Sequence, residues 1–241
     1  MCTISFLPGA RGFFLAMNRD ERKTRPRALP PRQRMSGDRV SLYPSEAGGG
    51  TWIGVNDAGL VLALINWYAM PQKPADVSRG IVIPHLLAAP DLKRVAAALG
   101  ELPLTRLNPF RLVAFSAREQ AIREWRWDGA RLSLKRHAWT RRHWFSSGYD
   151  EALVNRKRRP LARKIAATPQ AIRALHRGHA PERGPLSVCM HRDEAESVSY
   201  TEILLTRNDA RLRYAAGAPC IAKNGKLRKL AMARSPKPQP R

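Results

Sequence analysis

Residues 60–67, Leu-Val-Leu-Ala-Leu-Ile-Asn-Trp, contain a single polar side chain, Asn66. The run is short, and the turn sequence Asn56-Asp57-Ala58-Gly59 leads into it. It therefore reads as a strand buried on both faces. Such a strand has no side to offer water, so its sheet needs a covering layer above and below.

The other segments supply candidate layers. Residues 3–7 are strand-like, Pro8-Gly9 begins a turn, and 12–17 is a second apolar run, which together read as a β-hairpin. The Pro/Arg-rich stretch that follows Glu21, through Arg34, is expected to be loop. Residues 40–43 and 51–55 read as short strands around Gly48-Gly49-Gly50. Helical signals occupy 79–89, with Pro84 inside, and 91–99, where Leu92, Val95, Ala96 and Leu99 share a face and Gly100 is a stop. Strands return at 111–116, 121–127 and 131–137. Residues 150–167 read as a helix interrupted at Pro160, and 169–176 as a further helical piece. Segments 188–191, 197–206 and 211–215 are expected to be closing strands. Strands and paired helices in this order do not form a regular βαβ alternation. They predict an α+β sandwich of mainly antiparallel sheets, in one domain over residues 1–222. The basic tail, 223–241, is expected to be disordered.

The 241 residues carry 43 Lys+Arg against 19 Asp+Glu, a formal net charge of +24. Of the cations 33 are Arg, with clusters at 22–39, 156–164 and 223–241. No zinc finger, basic zipper or aromatic RNA-binding signature accompanies them, so the charge reads as an Arg-rich solvated surface, with no specific nucleic-acid partner expected. No apolar run is long enough to cross a membrane as a helix. Residues 1–10 contain no Lys or Arg, which argues against a secretory signal. Cys2, Cys189 and Cys220 cannot all pair and show no zinc spacing. His191 sits on an expected strand without a spaced partner, so no metal site is expected. A reducing, cytoplasmic setting fits these cysteines.

Cys2 is the most informative position. A small residue at position 2 favours removal of Met1, which would leave a thiol and a free α-amine on one residue. That amine titrates near pH ~8 and can take the thiol proton directly or through one water, so no separate histidine is needed. The strand begins at once, which would pin the terminus. The hairpin returns Asn18-Arg19-Asp20-Glu21 to the side of Cys2, where an acid can orient the amine and a guanidinium can favour thiolate.

Met1-Cys2, the Asn18-Arg19-Asp20-Glu21 tetrad and the segment Gly49-Gly50-Thr51-Trp52-Ile53-Gly54-Val55-Asn56 together resemble the NRDE family, the transport-and-Golgi-organisation type of protein. The resemblance continues through 59–66 and more weakly over 197–205. It implies the N-terminal-nucleophile fold, an αββα sandwich of two mainly antiparallel sheets between helical layers. A more distant resemblance is to choloylglycine hydrolases and penicillin V acylases, which also begin Met-Cys and carry Arg-Asn-x-Asp at the end of the first hairpin. Here the matching stretch is Met17-Asn18-Arg19-Asp20, so Asp20 matches the acid that holds amine and thiol, and Arg19 stands one residue before it. Asn66 matches an oxyanion-hole asparagine. The second asparagine of those relatives is replaced within Phe145-Ser146-Ser147-Gly148-Tyr149, where Ser147 is the substitute.

Trp52 reads as core beneath the hairpin, with a role as a substrate platform as its functional alternative. His137, His143, His176 and His179 are expected to be exposed. The leading expectation is an N-terminal-cysteine amidohydrolase or acyltransferase acting on a small molecule, with no cofactor. The alternative, brought by the family resemblance, is a non-enzymatic carrier or chaperone for haem or lipid using the same pocket, with Cys2 as a possible haem ligand.

Overall fold

The computed structural model describes residues 2–223 and 225–233. The chain opens with β1 (Cys2–Gly9) and β2 (Gly12–Arg22), then β3 (Leu29–Ser36), β4 (Arg39–Ser45), β5 (Ile53–Asn56) and β6 (Leu60–Asn66). Two helices follow, α1 (Val82–Leu86) and α2 (Leu92–Gly100). Next come β7 (Phe110–Ser116), β8 (Ala121–Trp127), β9 (Leu132–His137) and β10 (Arg142–Ser146). Helices α3 (Glu151–Lys164) and α4 (Pro169–Arg177) precede β11 (Ala195–Leu205), β12 (Asp209–Ala216) and β13 (Leu227–Ala231).

The strands form two sheets, one of six in the order β10-β1-β2-β11-β12-β13 and one of seven in the order β3 to β9. Every pairing is antiparallel. Ile4, Phe6, Phe13, Leu15 and Met17 of the first sheet pack against Ile53, Val61, Ile65, Val113 and Phe115 of the second. The other face of β6 presents Leu60, Leu62 and Leu64 to Val82, Ile83 and Leu86 of α1 and Val95 of α2. The strand of residues 60–66 is thus covered on both sides, as its composition requires. On the far side of the first sheet, Phe14, Ala16 and Tyr200 meet Ile172 of α4, and Phe145 meets Val154 and Ala162 of α3. The architecture is an αββα sandwich.

Local chemistry explains the joints. Asn56 accepts the N–H groups of Ala58 and Leu60 at 3.1 Å each, which closes the β5–β6 turn. Its amide donates to Leu87 O (2.9 Å) and Ala89 O (2.7 Å), tying the end of α1 to the same turn. Asp91 caps α2 through Arg94 N, Asp150 caps α3 through Leu153 N, and Thr168 caps α4 through Ala171 N.

Several expectations need correction. The stretch read as loop through Arg34 contains β3, an edge strand whose prolines fall at a register shift between Leu29 and Arg32. Edge positions tolerate proline because one side of the strand makes no ladder. Helix α3 runs through Pro160, held by the burial of Val154, Arg158 and Ala162 on one face. Residues 188–191 form no strand, only an isolated bridge from His191 to Glu196. Strand β10 carries no clear signal in the sequence, because its leading Arg142 and His143 mask the apolar residues that follow. The tail is not wholly irregular, since Leu227–Ala231 pairs with β12 as an edge strand. Asn224 and residues 234–241 lie outside the described residues. No described helix is long and apolar enough to cross a membrane.

Candidate functional site

Cys2 lies on β1 between two neighbours. Its register partners are Arg19 on β2 and Ser146 on β10. Residues directly opposed in an antiparallel ladder project to the same face. Arg19 and Ser146 therefore flank Cys2 on the face between the two sheets, the same face as Ile4 and Met17. Cys2 is 7% exposed. That burial pushes its thiol above the usual range, against the lowering influence of a hydrogen bond from the Asp20 backbone and of the Arg19 charge.

Arg19 is held on three sides. Its guanidinium lies 4.3 Å over the Trp52 ring and donates to Glu46 Oε1 at 2.5 Å and Glu21 Oε2 at 3.3 Å. The glycine run places Glu46 and Trp52. Gly49 has φ +82° and its N–H donates to Glu46 O at 2.9 Å. The Gly50 backbone touches Gly80, and a Cβ there would lie 3.1 Å from Gly80 Cα. Trp52 is buried core, packed beside Tyr214, and its indole Nε1 meets no acceptor among the described residues.

Asp20 follows Arg19 and so turns to the opposite face of the sheet. Ser197 on β11 donates to its Oδ1 at 2.5 Å, next to a bulge between Ser197 and Ser199. Burial raises the Asp20 carboxyl, opposed by the Arg158 charge and the Ser197 hydroxyl. Arg158 is fully buried on α3. It donates to Thr3 Oγ1 (3.0 Å), Ser187 O (2.6 Å), Leu186 O (3.1 Å) and Pro185 O (3.4 Å). Its field acts on both Asp20 and Cys2. Arg158 is therefore not part of the solvated basic cluster expected at 156–164; the signal for its burial is its position in line with Val154 and Ala162, one helical turn either way.

Asn66 closes β6 on the facing sheet. Its carbonyl accepts from Ser146 Oγ at 2.5 Å, so the serine opposite Cys2 joins the two sheets. Its side-chain amide donates to Tyr68 Oη at 2.8 Å. Ser147, one residue on, accepts from Tyr149 N at 3.1 Å in the turn before α3. Ser146 rather than Ser147 is the register neighbour of Cys2. Arg79, which donates to Pro109 O at 2.9 Å, is electrostatically coupled to Cys2, Tyr68 and Glu21. Arg25 pairs with Glu46 at 2.8 Å and Glu21 at 3.5 Å. Arg79 thus adds a cation to the field at the thiol, while Arg25 is paired with the two carboxylates.

Asn18 stands on the other face from Cys2. Its amide donates to His176 O (2.9 Å) and Val188 O (3.0 Å), so its Oδ1 is the acceptor for His176 Nδ1 at 2.9 Å. His176 Nε2 then accepts from Ser5 Oγ at 2.8 Å, and Ser5 Oγ accepts from His143 Nδ1 at 2.8 Å. Burial lowers His176 to about 3 and His143 to about 4, and both are neutral. His176 is therefore a buried connector, not the exposed residue expected. The reading of His191 as partnerless is also overturned. His179, Cys189, His191 and Cys220 bring their ligand atoms within 4.8 Å of one another.

Comparison with known proteins bears on the fold. The penicillin V acylase of Agrobacterium tumefaciens superposes with a TM-score of 0.61 at 11% identity, over 96% of this chain and 86% of that one. Two variants of the conjugated bile acid hydrolase of Clostridium perfringens give TM-scores of 0.56 and 0.54, each at 11% identity over 96% of this chain and 92% of theirs. These likenesses establish an N-terminal-nucleophile hydrolase type of fold. No curated protein sequence matches the chain. The family description Transport and Golgi organisation 2 matches residues 1–157, which include β1 to β10 and every residue flanking Cys2, and the chain belongs to that family.

Proposed function

We propose that the protein is an N-terminal-cysteine hydrolase or acyltransferase acting on a carbon–nitrogen amide or related acyl bond of a small molecule. The observation that carries this reading is the placement of Cys2 between Arg19 and Ser146, with Asn66 tied to Ser146 across the inter-sheet face. After removal of Met1, the Cys2 amine takes the thiol proton and the sulfur attacks the acyl carbon. The Asn66 amide, released by Tyr68, donates to the oxyanion. The proton passes to the leaving amine as the C–N bond breaks, which leaves a thioester on Cys2. Water or an acceptor amine then releases the acyl group and restores the thiol. Arg79, whose charge acts on Cys2, favours a substrate with an anionic substituent.

The test is the intact mass of the purified protein together with labelling by an acyl-type thiol-directed probe. The expected result is loss of Met1 and stoichiometric acylation at Cys2, with Cys189 and Cys220 unlabelled. Asn66→Leu is expected to slow acylation by ~10²-fold or more, the usual effect of removing an oxyanion donor. A retained Met1, or an unlabelled Cys2, overturns the proposal.

A further inference from the structure

The loop between α4 and β11 and the segment after β12 meet at a second cluster, remote in sequence from the Cys2 hairpin. His191 Nε2 lies 3.2 Å from His179 Nε2, 3.5 Å from Cys189 Sγ and 3.6 Å from Cys220 Sγ. An imidazole nitrogen carries either one hydrogen or one lone pair, in the ring plane. It can form one good hydrogen bond, yet three heavy atoms converge on it. A cation at the centre of the four atoms satisfies them all. A tetrahedral ion with metal–N of about 2.05 Å and metal–S of about 2.3 Å sets N···N at about 3.4 Å and N···S at about 3.6 Å. The three observed separations fall close to those edges.

We infer that His179, Cys189, His191 and Cys220 form a structural zinc site. Two imidazoles and two sulfurs in a tetrahedral arrangement are the donor set of closed zinc centres, with no position left for substrate. On binding, the two thiols give their protons to solvent and the two thiolates neutralise the ion. The backbone already holds the ligands in place. Cys189 N donates to Gly178 O at 3.0 Å, His191 N donates to Gly184 O at 3.2 Å, and the turn carrying Cys220 closes through Ala222 N to Ala218 O at 2.8 Å. The other ring nitrogen of His191 faces Glu196 Oε2 at 4.0 Å, the kind of carboxylate that orients a ligating histidine.

The site fastens parts of the chain that share no regular ladder there. Met190, between two ligands, donates to Ser197 Oγ at 2.9 Å and accepts from Ser197 N at 2.8 Å. Ser197 in turn holds Asp20. Zinc therefore acts as a positioning element for Asp20 through Met190 and Ser197.

The experiment is elemental analysis of the full chain purified under reductant from zinc-supplemented medium. About one zinc per chain is expected, with most of it lost in Cys220→Ser and in His179→Ala. Cobalt added to the chelator-stripped wild type is expected to show tetrahedral visible bands with thiolate charge transfer, a readout that needs no variant to fold. Cys2→Ala is expected to keep the metal, so this inference and the proposed activity fail separately. A metal-free protein under these conditions, cobalt spectra without thiolate character, or a Cys189–Cys220 disulfide as the resting state by mass spectrometry overturns the inference.

Discussion

Arg158 illustrates how burial changes the role of a residue whose neighbours in sequence are ordinary. Arg156, Lys157 and Arg159 surround it, yet Arg158 alone is fully enclosed and satisfies four acceptors from β1 and the loop 185–187. Replacing it by Met would leave buried carbonyl oxygens and the Thr3 hydroxyl without a donor, at about 1–3 kcal/mol for each group left unsatisfied. Arg158→Met is expected to lower the urea midpoint by an amount corresponding to at least ~2 kcal/mol. Arg158→Lys is expected to recover little, because one ammonium cannot span a fork of four acceptors. A midpoint unchanged in Arg158→Met would show that those groups find other partners.

At the scale of elements, strand alternation sorts the tetrad. Arg19 faces the inter-sheet core with Cys2, while Asn18 and Asp20 face the helical side and meet α4, the loop at Val188 and Ser197. The hairpin turn at Pro8-Gly9 brings the tetrad beside Cys2, but it was the register of β1 on β2 in the structure that set Arg19 rather than Asp20 opposite Cys2. The glycine turn between β4 and β5 was legible only as a turn. Its reason for being glycine lies in Gly80, some thirty residues away. Thr51 N donates to Gly80 O at 2.9 Å, and a Cβ on Gly50 would press on the Gly80 backbone. Gly50→Ala is expected to cost about 1–3 kcal/mol by overpacking, read as a lower thermal midpoint, and to loosen Glu46 and Trp52 around Arg19. An unchanged midpoint would mean that the two backbones separate freely.

Over the whole molecule, buried ionisable groups link the layers and set the response to acid. Glu124 on β8 accepts from Arg111 (2.7 Å), Arg126 (2.9 Å) and Trp144 Nε1 (3.3 Å) and meets His137 Nε2 at 2.6 Å, joining the second sheet to β10 of the first. Burial opposes its charge, but His137 and the two arginines hold the carboxyl well below its usual 4.5. Its contribution is present above that value and is lost as pH falls toward the folded pKa. His143 and His176, lowered from 6.5 to about 4 and about 3, act in the same direction. The unfolded chain binds their protons first, so stability is complete above pH 6.5 and declines as pH falls through the folded values. The expected loss between pH 7 and 4 is on the order of a few kcal/mol, measured by urea unfolding at each pH. Double substitution of His143 and His176 by Gln is expected to flatten that decline. An equally steep decline in the double variant would assign the acid sensitivity elsewhere.

The amino-acid sequence by itself determined what depends on neighbours along the chain. Strand alternation, an apolar run without a wet face, a short hairpin and helix caps were enough for the layered sandwich and for returning the tetrad Asn18-Arg19-Asp20-Glu21 to the side of Cys2. Edge strands β3 and β13 escaped because such strands bury little and tolerate proline and charge. Tertiary structure alone decided what depends on distant segments meeting. It enclosed Arg158, joined Ser146 to Asn66, and gathered His179, Cys189, His191 and Cys220 from two loops whose spacing matches no metal motif. Those contacts follow from how the sheets and helices pack, and packing places side chains by position in space rather than by interval in sequence.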